Sequence, residues 1–149
     1  MTRWIACAFA LGILHIAVLP ALALADVPVH LRVIKGSKKG PAKLDASLEP
    51  LKRQLSSLAY VRWELTSDDR RTMEKGKVET VKLPDGDEVM LAIAEEQVDK
   101  VTFEVTVASR KTQSKLTVER GQRIVHQVSG EKNGSAFFLT VIAWPDAAK

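Results

Sequence analysis

From Val61 onward apolar side chains return at every second position, and few architectures accept a chain written that way. Val101, Phe103, Val105 and Val107 alternate with Thr102, Glu104 and Thr106, which predicts a strand with one face in a core and the other in water. Val61, Trp63 and Leu65 alternate with Arg62 and Glu64 in the same way. The run from Asp68 to Gly76, DDRRTMEKG, interrupts the pattern and reads as a charged loop. Val78 to Leu83 and Val89 to Ala94 flank Pro84-Asp85-Gly86, where proline presets a turn and glycine takes the positive φ, so a hairpin is expected. Leu116 and Val118 lead to a turn at Gly121. Ile124 to Val128 lead to Asn133-Gly134, a pair suited to the two positive φ angles of a type I′ hairpin turn. The closing segment, Ala136 to Trp144, is apolar on both faces, which predicts a central or covered strand ended by Pro145.

Ahead of Val61 the pattern differs. Val29–Ile34, VHLRVI, is another alternating strand, with Val29, Leu31 and Val33 on one face and His30, Arg32 and Ile34 on the other. Lys35 to Lys43, KGSKKGPAK, reads as a loop. Leu44, Leu48, Leu51, Leu55 and Leu58 then recur at helical spacing and mark one face of an amphipathic helix. Asp45 or Ser47 can cap it, and Ser47 is the better candidate because Pro50 is tolerated only in a first turn. Strand, helix and strand form a βαβ-like opening that would set Val29–Ile34 beside Val61–Leu65. The expected fold is α+β but mainly β: an antiparallel sheet or sandwich of about eight strands with one helix near the start.

The first 25 residues belong to a different class. Arg3 precedes an apolar run from Trp4 to Leu19, followed by Pro20 and the small-residue pattern Ala23-Leu24-Ala25. That is the layout of a secretory signal peptide cleaved after Ala25, with a retained membrane anchor as the competing reading. Cleavage would leave one β-rich domain, residues 26–149, of 124 residues, located in the periplasm or secreted. It would also remove Cys7, the only cysteine, so the domain would rely on its apolar core and not on disulfides. Loss of Arg3 leaves 21 of the 22 Lys and Arg against 18 Asp and Glu, a mildly basic net charge of +3 that is not a nucleic-acid footprint. No second apolar run is long enough for a transmembrane span.

Candidate sites are few. Gly36-Ser37-Lys38-Lys39-Gly40 lies where phosphate loops lie but lacks the G-K-[ST] ending and the glycine spacing. Lys35, Lys38, Lys39 and Lys43 instead form a candidate contact for an anionic surface, against the plainer reading of a solvated loop. Trp144, at the end of its strand, is a candidate partner anchor, whereas Trp63 belongs to the core. His30 and His126 sit in strands without a second ligand at metal spacing, so no metal site is expected. There is no G-x-S-x-G elbow and, after Cys7, no cysteine nucleophile. The adjacent acids Asp68-Asp69 and Glu95-Glu96 point apart on a strand or turn, so no catalytic residue and no cofactor is assigned.

In its layout the chain resembles small, uncharacterised secreted β-rich proteins of Gram-negative bacteria. The resemblance rests on VHLRVIKGSKKG, the leucine helix, KLPDGDEVMLAI and KLTVERGQRIVHQVSGEKNGSAFFLTVIAW. The last stretch is also similar to the G-Q-x-x-V segment in the closing strands of outer-membrane secretins. The resemblance implies an envelope location and brings no catalytic residue. The expected function is therefore a non-enzymatic binding domain of the cell envelope, whose partner is another envelope protein or an anionic envelope component. The competing expectation is a hydrolase or inhibitor-like module, with a histidine, an acid and a Ser or Thr gathered from distant positions.

Overall fold

Alternation dictates the first strand of the computed structural model, which describes residues 26–144. The leader and cleavage point read at 1–25, Cys7 and the strand-ending Pro145 lie outside the described residues. Strand β1, Val27–Ser37, turns Val27, Val29, Leu31 and Val33 into a core where none is more than 1% exposed. The two-residue β2 is Lys43–Leu44, and β3 is Arg62–Met73. The next four strands are β4 (Val78–Lys82), β5 (Glu88–Glu96), β6 (Lys100–Val107) and β7 (Thr112–Glu119). They pair in sequence as an antiparallel four-stranded sheet. With β8 (Arg123–Gln127) and β9 (Ser135–Ala143) the chain returns to a five-stranded sheet of order β2-β3-β1-β9-β8.

The two sheets face each other across one apolar layer. Val29, Leu31, Leu139 and Val141 from one side meet Leu91, Phe103, Val105 and Val118 from the other. Each such side chain contributes about 1.5–3 kcal/mol by leaving water. One sandwich edge is closed by charge: Arg71 of β3 binds Asp69 on its own strand and reaches Glu79 of β4 at 3.0 Å. The mainly β, two-sheet expectation holds, with nine strands where about eight were expected. Asn133 (φ 55°) and Gly134 (φ 78°) take the two left-handed positions of the tight turn between Lys132 and Ser135. The apolar last strand is central, between β1 and β8.

Five local expectations are corrected. The Leu44–Leu58 helix is shorter: a 3-10 helix at Ala46–Leu51 runs into a single α turn, α1, at Lys52–Leu55, while Leu44 lies in β2. Pro50 explains this, because an α-helix begun at Ala46 would need the Pro50 N–H to donate to the Ala46 carbonyl. The cap is Asp45, not Ser47; its carboxylate accepts from Ser47 N at 3.0 Å and from Ser47 Oγ at 2.7 Å. The loop expected at Lys35–Lys43 begins later, since β1 continues to Ser37. Gly36 sits inside that strand because a Cβ there would lie 2.8 Å from the Trp63 ring.

The βαβ-like opening places the right neighbours in the wrong sense: β1 and β3 are adjacent but antiparallel. A parallel crossover would have to return along the 11 residues of β1, about 36 Å. The six 3-10 and four α residues span only about 18 Å.

The fifth correction concerns Asp68 to Gly76. Residues 68–73 are not loop but the far half of β3. The register slips between Val33 and Ile34, so Thr66 is an extra residue in β3. Before it, Trp63 and Leu65 lie on the outer face; after it, Asp68 and Arg70 do, and Met73 enters the inter-sheet core. The bulge hides the strand from any test of strict alternation.

Candidate functional site

Pairing register lays the outer face of the five-stranded sheet out as a grid. Ile34, Phe138 and Leu65 fill one row, and Gly36, Trp63 and Ala136 the next. Leu48, Leu51 and Leu55 pack down on these rows from the short helices. Tyr60, Trp63 and Phe138 meet edge to face with centroids 5.2 to 5.5 Å apart. The two remaining rows are polar. One reads Asp68, Arg32, Thr140, Val125 and the other Arg70, His30, Ile142, Arg123, across β3, β1, β9 and β8.

In the polar rows Asp68 is the hub. It is hydrogen-bonded to His30 Nε2 and lies 3.0 Å from Arg32 Nε. Arg32 Nε–H also donates to His30 Nε2 at 3.3 Å, so guanidinium, imidazole and carboxylate form one cluster. His30 Nδ1, on the other side of the ring, has no hydrogen-bond partner among the described residues. Burial alone would raise the Asp68 carboxyl pKa; the hydrogen bonds and charges of His30 and Arg32 outweigh it and hold it below the ordinary value. Arg32 also donates to the Ser47 carbonyl at 3.0 Å, which ties the helix start to the polar rows.

Arg123 starts on β8 yet feels charges on β1 and β3. Burial lowers its guanidinium pKa first, then the Arg32 charge; Asp68 pulls the other way and Arg70 adds to the lowering. Its cross-strand neighbour on β9 is Ile142. It makes no ion pair among the described residues. Three buried polar side-chain atoms lack a hydrogen-bond partner among the described residues: His30 Nδ1, Arg123 Nη1 and Thr140 Oγ1. All three belong to these two rows. His30 is 1% exposed and Thr140 0%, so each orphan carries a desolvation cost of about 1–3 kcal/mol. Natural folds keep few such groups, and three on one patch call for a reason.

The residues singled out from sequence are spread elsewhere. Lys35 lines a small cavity of about 210 Å³ with Asp85, Ser129 and Phe137. Lys38 pairs with Glu131 at 2.6 Å and stands 5.4 Å above the Tyr60 ring, and the Lys39 stem lies against Gly134. Lys43, in β2, borders a groove of about 470 Å³ with Leu44, Leu55, Tyr60, Val61 and Trp63. Only Lys38 and Lys39 remain together. Trp144 is 40% exposed at the sheet end, its carbonyl held by Arg120, which also pairs with Glu96. Trp63 is in the outer core cluster.

His126 faces a cavity of about 160 Å³ lined by Arg110, Thr112 and Ser114, with no carboxylate in its wall, and burial lowers its pKa. No group of three His, Cys, Asp or Glu among the described residues is placed to hold a metal ion. No helix among them is long and apolar enough to cross a membrane.

Sequence reasoning put His30 and Arg32 on the outer face of the first strand but missed their partners. The signal within reach was a histidine and an arginine opposite a core face. Asp68, Arg123 and Thr140 join them only through register. Compared with protein-family models, with curated proteins and with solved structures, the chain matches none.

Proposed function

We propose that this chain is an exported, non-enzymatic domain of the bacterial cell envelope, periplasmic or secreted. It binds another envelope protein or an anionic envelope component through the polar rows of the five-stranded sheet. The observation that carries the reading is the set of three unpartnered buried groups, His30 Nδ1, Arg123 Nη1 and Thr140 Oγ1, beside the cations Arg70 and Arg123. The exposed Arg70, without an ion pair among the described residues, gives this face a free positive charge for an anionic group of the partner. The leader pattern at 1–25 and the resemblance to small secreted β-rich proteins support the location. N-terminal sequencing of the protein from its host should begin at Asp26. In envelope fractions Arg123→Gln should lose retention, while Lys38→Ala with Lys39→Ala should keep it. Equal retention of both variants would remove this face from the account.

One observation favours the second reading, a hydrolase: His30 is paired with Asp68, and Thr140 is on the same face. The arrangement lacks the contact such chemistry needs. Thr140 Oγ1 and His30 Nδ1 are both without a partner among the described residues, so no nucleophile–base hydrogen bond joins them. Turnover on an ester or amide panel, abolished by His30→Ala, would establish the hydrolase and displace the binding domain.

A further inference from the structure

Between the sheets, at the end where β6 turns into β7, the apolar layer gives way to polar side chains. In β7, Leu116 lies opposite Phe103, Ser114 opposite Val105 and Thr112 opposite Val107, so Ser114 and Thr112 continue the inward face of a core strand. In β8, His126 lies opposite Leu139 and Ile124 opposite Val141, so His126 is turned inward as well. Two facing strands thus bring hydroxyls and an imidazole to positions that apolar residues occupy in a filled sandwich. They line the cavity of about 160 Å³, with Arg110 of the β6–β7 turn in the same wall. We propose that this cavity binds a tetrahedral oxyanion of the phosphate or sulfate class, held by Arg110, Thr112, Ser114 and His126. The site is separate from the polar rows, because Arg123 and His126 leave β8 on opposite faces.

All four side chains are within reach of solvent: Arg110 and Thr112 are exposed, Ser114 and His126 half-buried. No hydrogen bond or ion pair among the described residues engages them, and burial alone shifts His126. Guanidinium and hydroxyls donate, and a charged imidazole donates from both nitrogens, so no choice of tautomer is needed. Arg110 and His126 are the titratable groups of the wall, which holds no carboxylate. Asp87, held below its ordinary pKa first by the Ser109 hydroxyl and last by the Arg110 charge, lies outside it. At about 30 Å³ per water the cavity has room for roughly five waters, the size range of one small oxyanion. Its donors come from a turn, a strand and the opposite sheet. A tetrahedral anion offers oxygens in all these directions, whereas a carboxylate offers two along one edge. With His126 charged the wall carries two positive charges, which match a dianion. The anion should therefore raise the His126 pKa that burial lowers.

The full chain in nonionic detergent can be titrated with sulfate, phosphate, glycerol 1-phosphate and acetate at fixed ionic strength. The readout is the His126 ring 15N signal, assigned by its loss in His126→Gln; sulfate stabilises folded proteins generally, so a thermal midpoint would not report the site. Sulfate keeps one charge state between about pH 5 and 8, so any pH dependence of its binding belongs to the protein. It should move the His126 signal saturably, raise its titration midpoint and bind several-fold tighter at about pH 6 than at about pH 8. Arg110→Gln should weaken binding at least tenfold and Ser114→Ala several-fold, while Arg123→Gln on the outer face leaves it unchanged. Because Arg110 is exposed in a turn, its variant should unfold at the parent's midpoint without sulfate, which separates lost binding from lost folding. Tighter binding of glycerol 1-phosphate than of phosphate would identify the ligand as a phosphate head group, and equal or weaker binding as the free ion. Acetate bound as tightly as sulfate, sulfate binding that survives Arg110→Gln, or no saturable shift with any probe would each overturn the proposal. None of these outcomes touches the envelope-retention comparison, which turns on Arg123.

Discussion

The two halves of the outer sheet face share the same strands, yet they are finished in opposite ways. Over Ile34, Gly36, Trp63 and Phe138 the chain supplies its own cover, with Leu48, Leu51 and Leu55 closing an aromatic cluster. Over His30, Arg32, Thr140 and Arg123 it leaves three buried polar atoms unpartnered among the described residues. The first half answers every demand of its side chains internally, so its substitutions should act on stability. The second half carries demands that the domain does not meet, so substitutions at Arg123 and Thr140 should act on binding, while those at Arg32 and Asp68 also act on stability. Arg32 joins them, with one nitrogen on Asp68 and another on the Ser47 carbonyl.

The contrast can be broken at several points. Trp63→Ala in the covered half should cost about 3–5 kcal/mol, because it empties the centre of a packed cluster. Urea unfolding measures that directly, and a loss under 1 kcal/mol would show that the helix is not a structural lid. Gly36→Ala should cost about 1–3 kcal/mol by forcing a methyl to within 2.8 Å of the Trp63 ring. Arg32→Ala should cost about 1–3 kcal/mol, since it strips the Ser47 carbonyl and one Asp68 oxygen of their donor.

Two pH effects should separate the regions further. Asp68 has a folded pKa below its ordinary 3.8, so its contribution is present above 3.8 and is lost as pH falls through the lower folded value. Asp68→Asn should flatten that acid limb. His126 is lowered from 6.5 by burial, so the folded state resists its protonation. Stability should fall as pH drops from 6.5 toward the folded value, and His126→Gln should remove that slope.

The fold was more legible in sequence than the site. Strict alternation in Val29–Ile34 and Val101–Val107 marked two strands of the core, and Asn133-Gly134 marked its turn, because each signal is local. The far half of β3 was hidden by one extra residue, Thr66, which inverts which side chains face inward. The leucine helix was overextended because spacing records a face, while Pro50 decides how the backbone hydrogen bonds run. At the site, the outward His30 and Arg32 could be read from one strand. Asp68, Thr140 and Arg123 could not, since residues 30, 68, 123 and 140 meet only through three strand pairings. The Gly36–Gly40 stretch drew attention as a loop, whereas Gly36 serves the packing of Trp63.

The most direct test is equilibrium unfolding of the double variant Arg123→Met, Thr140→Val, paired with its retention in envelope fractions. Methionine keeps an aliphatic side chain beside Ile142 and valine keeps the shape of threonine, so the unmet polar demands are removed together with one positive charge. The account predicts a domain as stable as its parent, or more stable by about 1 kcal/mol, that is no longer held in the envelope. A variant destabilised by more than about 1 kcal/mol with retention intact would contradict it, because the polar rows would then be part of the scaffold.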